Sequence, residues 1–187
     1  MEFPYFIIIS GPPATGKTTL GMKLKNHYNL PFIYKDFIKE SLFDSLGIMD
    51  REWSGKLGWS SMVVLYKLTE ELLSSKTSLI IESAFFGPKE SNTYQQIINK
   101  YGAKPIQIHC TGSKDIIMKR FSDRDNGDDR HRGHIRKNVS KVLEDRLDNN
   151  TYGQLEINGN TIVLNTNDFS KVSDQDIIEQ VNRFIKN

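Results

Sequence analysis

The chain has 187 residues, of which 26% are charged and 37% hydrophobic, a balance that excludes a disordered or collagen-like polymer and suits one domain with a sizeable core. Lys and Arg number 25 against 23 Asp and Glu, so a wholly basic nucleic-acid binder is excluded while a local basic patch is not. Cys110 is the only cysteine, which rules out an internal disulfide and a multi-cysteine zinc site. The longest apolar run, residues 6–9, is far too short to cross a bilayer and has no basic segment ahead of it. A cytoplasmic protein without a membrane partner is expected.

Taken in order, short apolar runs alternate with segments of helical period. Residues 5–10 read as a strand buried on both faces, and 17–28 as a helix with Leu20, Leu24 and Tyr28 four apart. Residues 31–34 predict a second strand, and 36–46 a helix stopped by Gly47. Residues 47–59 read as an irregular stretch holding Trp53 and Trp59, followed by a helix over 60–75. A third strand at 79–81 leads to a helix over 88–101, with Pro88 in its first turn. A fourth strand at 105–110 precedes a helix from 113 to about 126. A polar stretch to residue 134, a helix over 137–147, a fifth strand at 161–164 and a last helix capped by Ser173 complete the chain. This alternation predicts an α/β fold of three α/β/α layers around a five-stranded parallel sheet, in a single domain spanning residues 1–187.

The strongest motif is Gly11-Pro12-Pro13-Ala14-Thr15-Gly16-Lys17-Thr18, followed by Thr19, which fits the phosphate-binding loop G-x-x-x-x-G-K-[ST]. The two glycines let the backbone wrap so that successive N–H groups face phosphate oxygens. Lys17 can reach the β- and γ-phosphates, and the Thr18 hydroxyl can ligate Mg²⁺. The position between a buried strand and a helix adds the positive end of the helix dipole. ATP and Mg²⁺ are therefore the expected cofactors.

Three features narrow the chemistry. Asp36 directly follows the second strand, at the edge where parallel sheets bind ligands, and could take a hydroxyl proton as general base; capping the next helix is its alternative. Glu82 ends the third strand at the same edge, where it could hold a Mg²⁺-bound water or the acceptor, or be a plain solvated strand end. Arg120, Arg124, Arg130, Arg132 and Arg136 make up five of the eight arginines, and the stretch 125–134 reads as too polar to pack in a core. It suggests a lid over about 120–137 whose guanidinium groups meet phosphoryl oxygens. A solvated turn in which Asp123, Asp128 and Asp129 pair internally is the alternative. Residues 119–137 carry a net +3 and the remainder a net −1, so the chain's positive excess lies in this segment.

With these residues the chain resembles the small P-loop kinases related to zeta toxin, chloramphenicol phosphotransferase and the polynucleotide 5′-hydroxyl kinases, a group often labelled AAA-type ATPases. The likeness rests on the P-loop, Lys35-Asp36, the strand end at Glu82, the His109-Cys110 strand and the arginine segment. It implies a nucleoside-monophosphate-kinase-like sheet in the order 2-3-1-4-5. It also implies Asp36 as general base and Arg120 and Arg124 on the ATP phosphates. Lys39 has the spacing of a substrate-phosphate ligand, although a lysine there lacks the arginine fork. Thr166 and Asn167 fall where such kinases place adenine.

The expected activity is transfer of the γ-phosphate of ATP to a hydroxyl of a small molecule, with a nucleic-acid 5′ end as the less favoured acceptor. The alternative is a nucleotide-binding regulatory ATPase without a diffusible acceptor; the missing N-K-x-D motif counts against a GTPase. Trp53 and Trp59 could stack on a substrate or simply pack their loop. Cys110 reads as a core residue. His131 and His134 lack a third ligand for zinc at helical or hairpin spacing. A monomer or dimer fits this class.

Overall fold

A computed structural model of the chain describes residues 3–126, 130–134 and 139–186, without the side chains of residues 88, 89, 126 and 139. Strands β1 (Tyr5–Ser10), β2 (Phe32–Tyr34), β3 (Leu79–Glu82), β4 (Lys104–Thr111) and β5 (Asn160–Asn165) form a parallel sheet in the order β2-β3-β1-β4-β5. The helices are α1 (Lys17–Tyr28), α2 (Lys35–Leu46), α3 (Arg51–Ser74), α4 (Gly87–Tyr101), α5 (Lys114–Asn126), α6 (Val139–Asp148) and α7 (Asp174–Lys186). This is the three-layer α/β fold that the alternating pattern and the resemblance imply.

The unbroken apolar run of β1 divides between two cores because strand side chains alternate in direction. Phe6 and Ile8 join Leu79, Ile81, Leu65 and Tyr94 under α3 and α4. Ile7 and Ile9 join Ile80, Ile108, Leu24 and Val181 under α1 and α7. All four β1 side chains are fully buried, each worth about 1.5–3 kcal/mol over exposure. The register then fixes the site: Ile9 lies opposite Glu82, and Tyr34 opposite Glu82, so the P-loop, Lys35-Asp36 and Glu82 leave the sheet at one edge.

The stretch 47–59 is not irregular beyond Asp50. The long helix α3 begins at Arg51, where the Asp50 carboxylate accepts from the Trp53 backbone N–H at 2.8 Å. Gly55 and Gly58 each weaken a helix by about 1 kcal/mol, which makes the segment look loop-like. Burial of Ser54, Leu57 and Ser61 overrides them. Trp53 and Trp59 thus sit on a helix, with the Trp53 indole donating to the Gly47 carbonyl at 3.0 Å.

Candidate active site

The P-loop conformation requires its glycines. Gly11 has φ +123°, and a Cβ there would lie 2.0 Å from the Cys110 carbonyl oxygen. Gly16, at φ +77°, starts α1 and accepts from Leu20 N–H at 3.0 Å. Between them Ala14 also takes a left-handed turn. Lys17 is buried, donates to the Pro12 carbonyl at 2.7 Å and lies 3.8 Å from Glu82 Oε1. The buried Thr15 hydroxyl donates to the same carbonyl at 2.8 Å. Pro13 and Thr19 line the cleft beside them.

Glu82 is buried rather than solvated. Its Oε2 accepts from the Thr18 hydroxyl at 2.8 Å, so the two expected metal-site residues meet. Burial pushes its carboxyl above the usual range, with Asp36 adding to the rise and Lys17 and the Thr18 bond opposing it.

Asp36 lies inside the first turn of α2, one residue beyond the start, and Tyr34 occupies the cap position without a side-chain bond. The capping alternative therefore fails. The Asp36 carboxylate opens into the cleft with no hydrogen bond or ion pair among the described residues. Burial acts to raise its pKa, but Lys35, His134, Lys17 and Arg124 together hold it below the ordinary value, so it is ionised at neutral pH. One turn on, Lys39 donates to the Ser54 hydroxyl at 3.0 Å and stands 5.3 Å from the centroid of the Phe43 ring. Burial, helped by Lys35 and Arg130 and opposed by Asp36, pushes the Lys39 ammonium down to about 8.

The arginines separate in space. Arg120 donates to the carbonyls of Thr166 at 2.6 Å and Asn167 at 2.9 Å, and its guanidinium lies 3.8 Å over the Phe169 ring. Phe169 in turn presses on the P-loop, since a Cβ on Gly16 would lie 2.8 Å from it. Arg124 and Arg130 both line the cleft, and Arg130 is ion-paired with Asp125. Arg136, Lys137, Asp128 and Asp129 lie outside the described residues, so the internal-pairing alternative for this segment is described only at Asp123, which is exposed.

Residues 130–134 pack more closely than their polarity suggests. Gly133 is buried, and a Cβ there would lie 2.3 Å from the Phe43 ring. His131 stacks on Phe43 with centroids 5.8 Å apart and reaches Asp44 at 3.0 Å, while His134 reaches Glu40 at 2.8 Å. Asp44 and Glu40 are four residues apart on α2, so one helix face receives both imidazoles. Burial lowers the His134 pKa; Arg130 and Lys39 add to this, and Asp36 and the Glu40 bond oppose it.

These groups line a half-open cleft of about 930 Å³. Beyond the expected residues it is walled by Ser54, Trp59, Met62 and Tyr66 of α3, by Phe86, and by Arg146 of α6. Sequence reasoning missed most of these, and also Phe169. Their only signals are an aromatic just past the last strand and a polar-aromatic face on α3, visible once the helix is known to begin at residue 51.

Comparison with known proteins gives a consistent fold. The AAA domain family matches residues 6–149. A crystallised kinase candidate from Chloroflexus aurantiacus superposes with a TM-score of 0.89 at 32% identity, covering 98% of this chain and 99% of that one. Shikimate kinase from Acinetobacter baumannii, in complex with shikimate, shares the fold with a TM-score of 0.59 at 17% identity, over 98% and 94% of the two chains. Mouse adenylate kinase 8 is 26% identical over 112 residues, 60% of this chain, and the matched part spans only 23% of that relative's length.

Proposed function

The chain belongs to the AAA domain family, and on that footing we propose that it is an ATP-dependent phosphotransferase acting on a hydroxyl of a small molecule, with Asp36 as general base. The observation that carries this reading is the Asp36 carboxylate, which makes no hydrogen bond or ion pair among the described residues and lines the same cleft as Lys17, Thr18 and Glu82. The kinase-like neighbours support the same reaction class.

The residues suit the nucleotide. The P-loop from Gly11 to Thr19 would hold the phosphates, with Lys17 turning from the Pro12 carbonyl to the γ-phosphate oxygens. Arg120, which the resemblance puts on the ATP phosphates, is held instead on the Thr166 and Asn167 carbonyls and over Phe169, so these two side chains would meet the base and Arg124 the transferring phosphoryl group. Thr18 and Glu82, already hydrogen-bonded to each other, offer the hard oxygen donors that Mg²⁺ requires. Mg²⁺ would supply charge neutralisation across the β- and γ-phosphates, with Glu82 acting through water.

In the transfer, the acceptor hydroxyl oxygen forms a bond to the γ-phosphorus while the bond to the β,γ-bridging oxygen breaks and its electron pair leaves on ADP. The hydroxyl proton passes to Asp36. Lys17 and Arg124 meet the charge spread over the equatorial oxygens. Asp36→Asn should keep ATP affinity within about twofold while lowering transfer by about 10²–10⁴-fold, as removal of a general base does. Labelled transfer from ATP across an acceptor panel is the measurement. Wild-type transfer by the variant would remove Asp36 from the mechanism, and ATP turnover indifferent to every hydroxyl compound would favour a regulatory ATPase.

A further inference from the structure

The cleft has a second polar corner, built on α4 rather than on the P-loop or α2. Glu90, in the first turn of α4, lines the cleft and is buried, and its Oε2 accepts from the Phe86 backbone N–H. A carboxylate offers about four acceptor positions, so a helix-capping bond of this kind does not exhaust it. Tyr66 of α3 lines the cleft too. Burial raises its phenol pKa and the Glu90 charge adds to the rise, which makes the two groups electrostatic neighbours. Ser83, directly after β3, adds a buried hydroxyl that donates to the Met62 sulfur, a weak acceptor, at 3.7 Å. Beside Tyr66 stands Tyr94, with ring centroids 5.3 Å apart, and its buried hydroxyl has no hydrogen-bond partner among the described residues. Buried hydroxyls are costly to leave unbonded, so this corner is short of hydrogen-bonding groups rather than oversupplied.

Helix α3 links this corner to the surroundings of Asp36. Gly58, Met62 and Tyr66, four residues apart, lie along one face of it, and all three line the cleft. At the Gly58 end, a Cβ would lie 3.8 Å from the side chain of Lys39, which is one turn after Asp36 on α2. At the Tyr66 end lies Glu90. Eight residues of helix separate the two ends by about 12 Å. Gly55 and Gly58 lower the wall at the Asp36 end. A Cβ on Gly55 would meet nothing within 4 Å, and on Gly58 only Lys39 in ordinary contact. Glycine weakens a helix interior, and no neighbour in the protein requires it at either position. The room they leave opens into the cleft, where a molecule lying along α3 would use it.

Resting on the phosphotransferase reading, we propose that the acceptor is an extended polyol, with one hydroxyl at Asp36 and another, at the far end of its carbon chain, held by Glu90 and Tyr66. Glu90 then sets acceptor specificity. A hydroxyl suits the corner because it both donates and accepts. It can donate to Glu90 while accepting from Tyr66 or Ser83, whereas an ammonium only donates. An anionic end would meet the like charge of Glu90.

The test measures labelled transfer from ATP, with Mg²⁺ and the full-length protein, to xylitol, sorbitol and mannitol, to their terminal deoxy counterparts and to glycerol. Glucamine and gluconate replace an end hydroxyl of sorbitol by an ammonium or a carboxylate. The best polyol should exceed, by about 10–100-fold in kcat/KM, the deoxy counterpart that keeps the phosphorylated position, the range of a hydrogen bond to a charged group. Glycerol, too short to span the two ends, should fall with the deoxy compounds. Glu90→Gln keeps an acceptor for the Phe86 N–H and should bring the pair close to parity, chiefly through KM. Tyr66→Phe removes one hydroxyl and should narrow the ratio by about 2–10-fold; if Glu90→Gln does not fold, this variant decides. Equal use of a polyol and its deoxy counterpart, a preference for glucamine or gluconate, or an equal loss on both members of the pair in Glu90→Gln would each overturn the proposal. So would transfer to a 5′-hydroxyl oligonucleotide with no polyol used. If nothing is phosphorylated, the phosphotransferase reading fails instead. Calorimetric titration of the same polyols, with a non-hydrolysable ATP analogue present, then decides the Glu90 corner. Binding lost in Glu90→Gln upholds it, and binding absent from the wild-type protein or unchanged in the variant refutes it.

Discussion

Replacing Gly133 by alanine tests whether the arginine segment works by docking on α2. The new Cβ would lie 2.3 Å from Cδ2, 2.5 Å from Cγ and 2.6 Å from Cε2 of Phe43. Unstrained carbon contacts begin near about 3.5 Å, so either the segment lifts by about 1 Å or the ring turns. The ring is 2% exposed and His131 stacks on it, which leaves it little room. Lifting stretches the 3.0 Å His131–Asp44 and 2.8 Å His134–Glu40 contacts beyond hydrogen-bonding range. Overpacking of this kind costs about 1–3 kcal/mol, which shifts the docking equilibrium by about 5–150-fold. Phosphoryl transfer should fall, ATP lost to water per turnover should rise, and trypsin should cut faster after Arg130 and Arg132. Phe43→Leu in the same chain shortens the ring and should recover part of the transfer, giving a coupling energy from the double-mutant cycle. A Gly133→Ala protein with wild-type transfer and wild-type trypsin resistance would refute the docking argument.

Two pH dependences follow from the same region. The docked His134 has a lowered pKa, so docking favours the neutral imidazole: it is complete above the free value of about 6.5 and weakens as pH falls through the docked value. The ratio of transfer to wasteful hydrolysis should drop on acidification below about pH 6.5, and His134→Asn, which cannot titrate, should flatten that limb; an unchanged limb removes His134 from it. Lys39, at about 8 in the free protein, must be charged for the substrate-phosphate role that the resemblance gives it, so on that reading kcat/KM for a phosphate-bearing acceptor should fall above that pH while the value for a neutral polyol does not follow it. Lys39→Arg should move that limb beyond pH 9 or so, because guanidinium does not titrate there; stopped-time assays across pH at subsaturating acceptor measure both effects.

The parts of the site that sequence alone located are those whose chemistry is local. Gly11 through Thr18 is a contiguous motif whose glycines have no steric alternative, and Asp36 and Glu82 follow strands closely enough for topology to place them. The sheet order came from resemblance rather than from residue patterning, and the fold agrees with it. Missed features depend on distant pairings. Residues 130–134 look like a solvated turn until α2 supplies Glu40 and Asp44 for the histidines and Phe43 for Gly133, at separations near 90 residues. The start of α3 was hidden by Gly55 and Gly58, whose local penalty is outweighed only by packing.

The charge distribution shows how these two kinds of information combine. Along the sequence the positive excess sits in residues 119–137. In space, part of it is already committed, because Arg130 meets Asp125 and Arg120 meets the carbonyls of Thr166 and Asn167. Lys35, Lys39, Arg51 and Arg146, cleft-lining cations that make no ion pair among the described residues, all come from outside that segment and are scattered over more than 100 residues. Composition therefore reports the nucleotide half of the cleft, where one segment supplies the charge. On the phosphotransferase reading, the acceptor half would be assembled by the fold from α2, α3 and α6, and the choice of substrate would be set there. Substitutions in the arginine segment should consequently alter transfer from ATP to all acceptors alike, whereas changes at Lys39 should alter the choice among them.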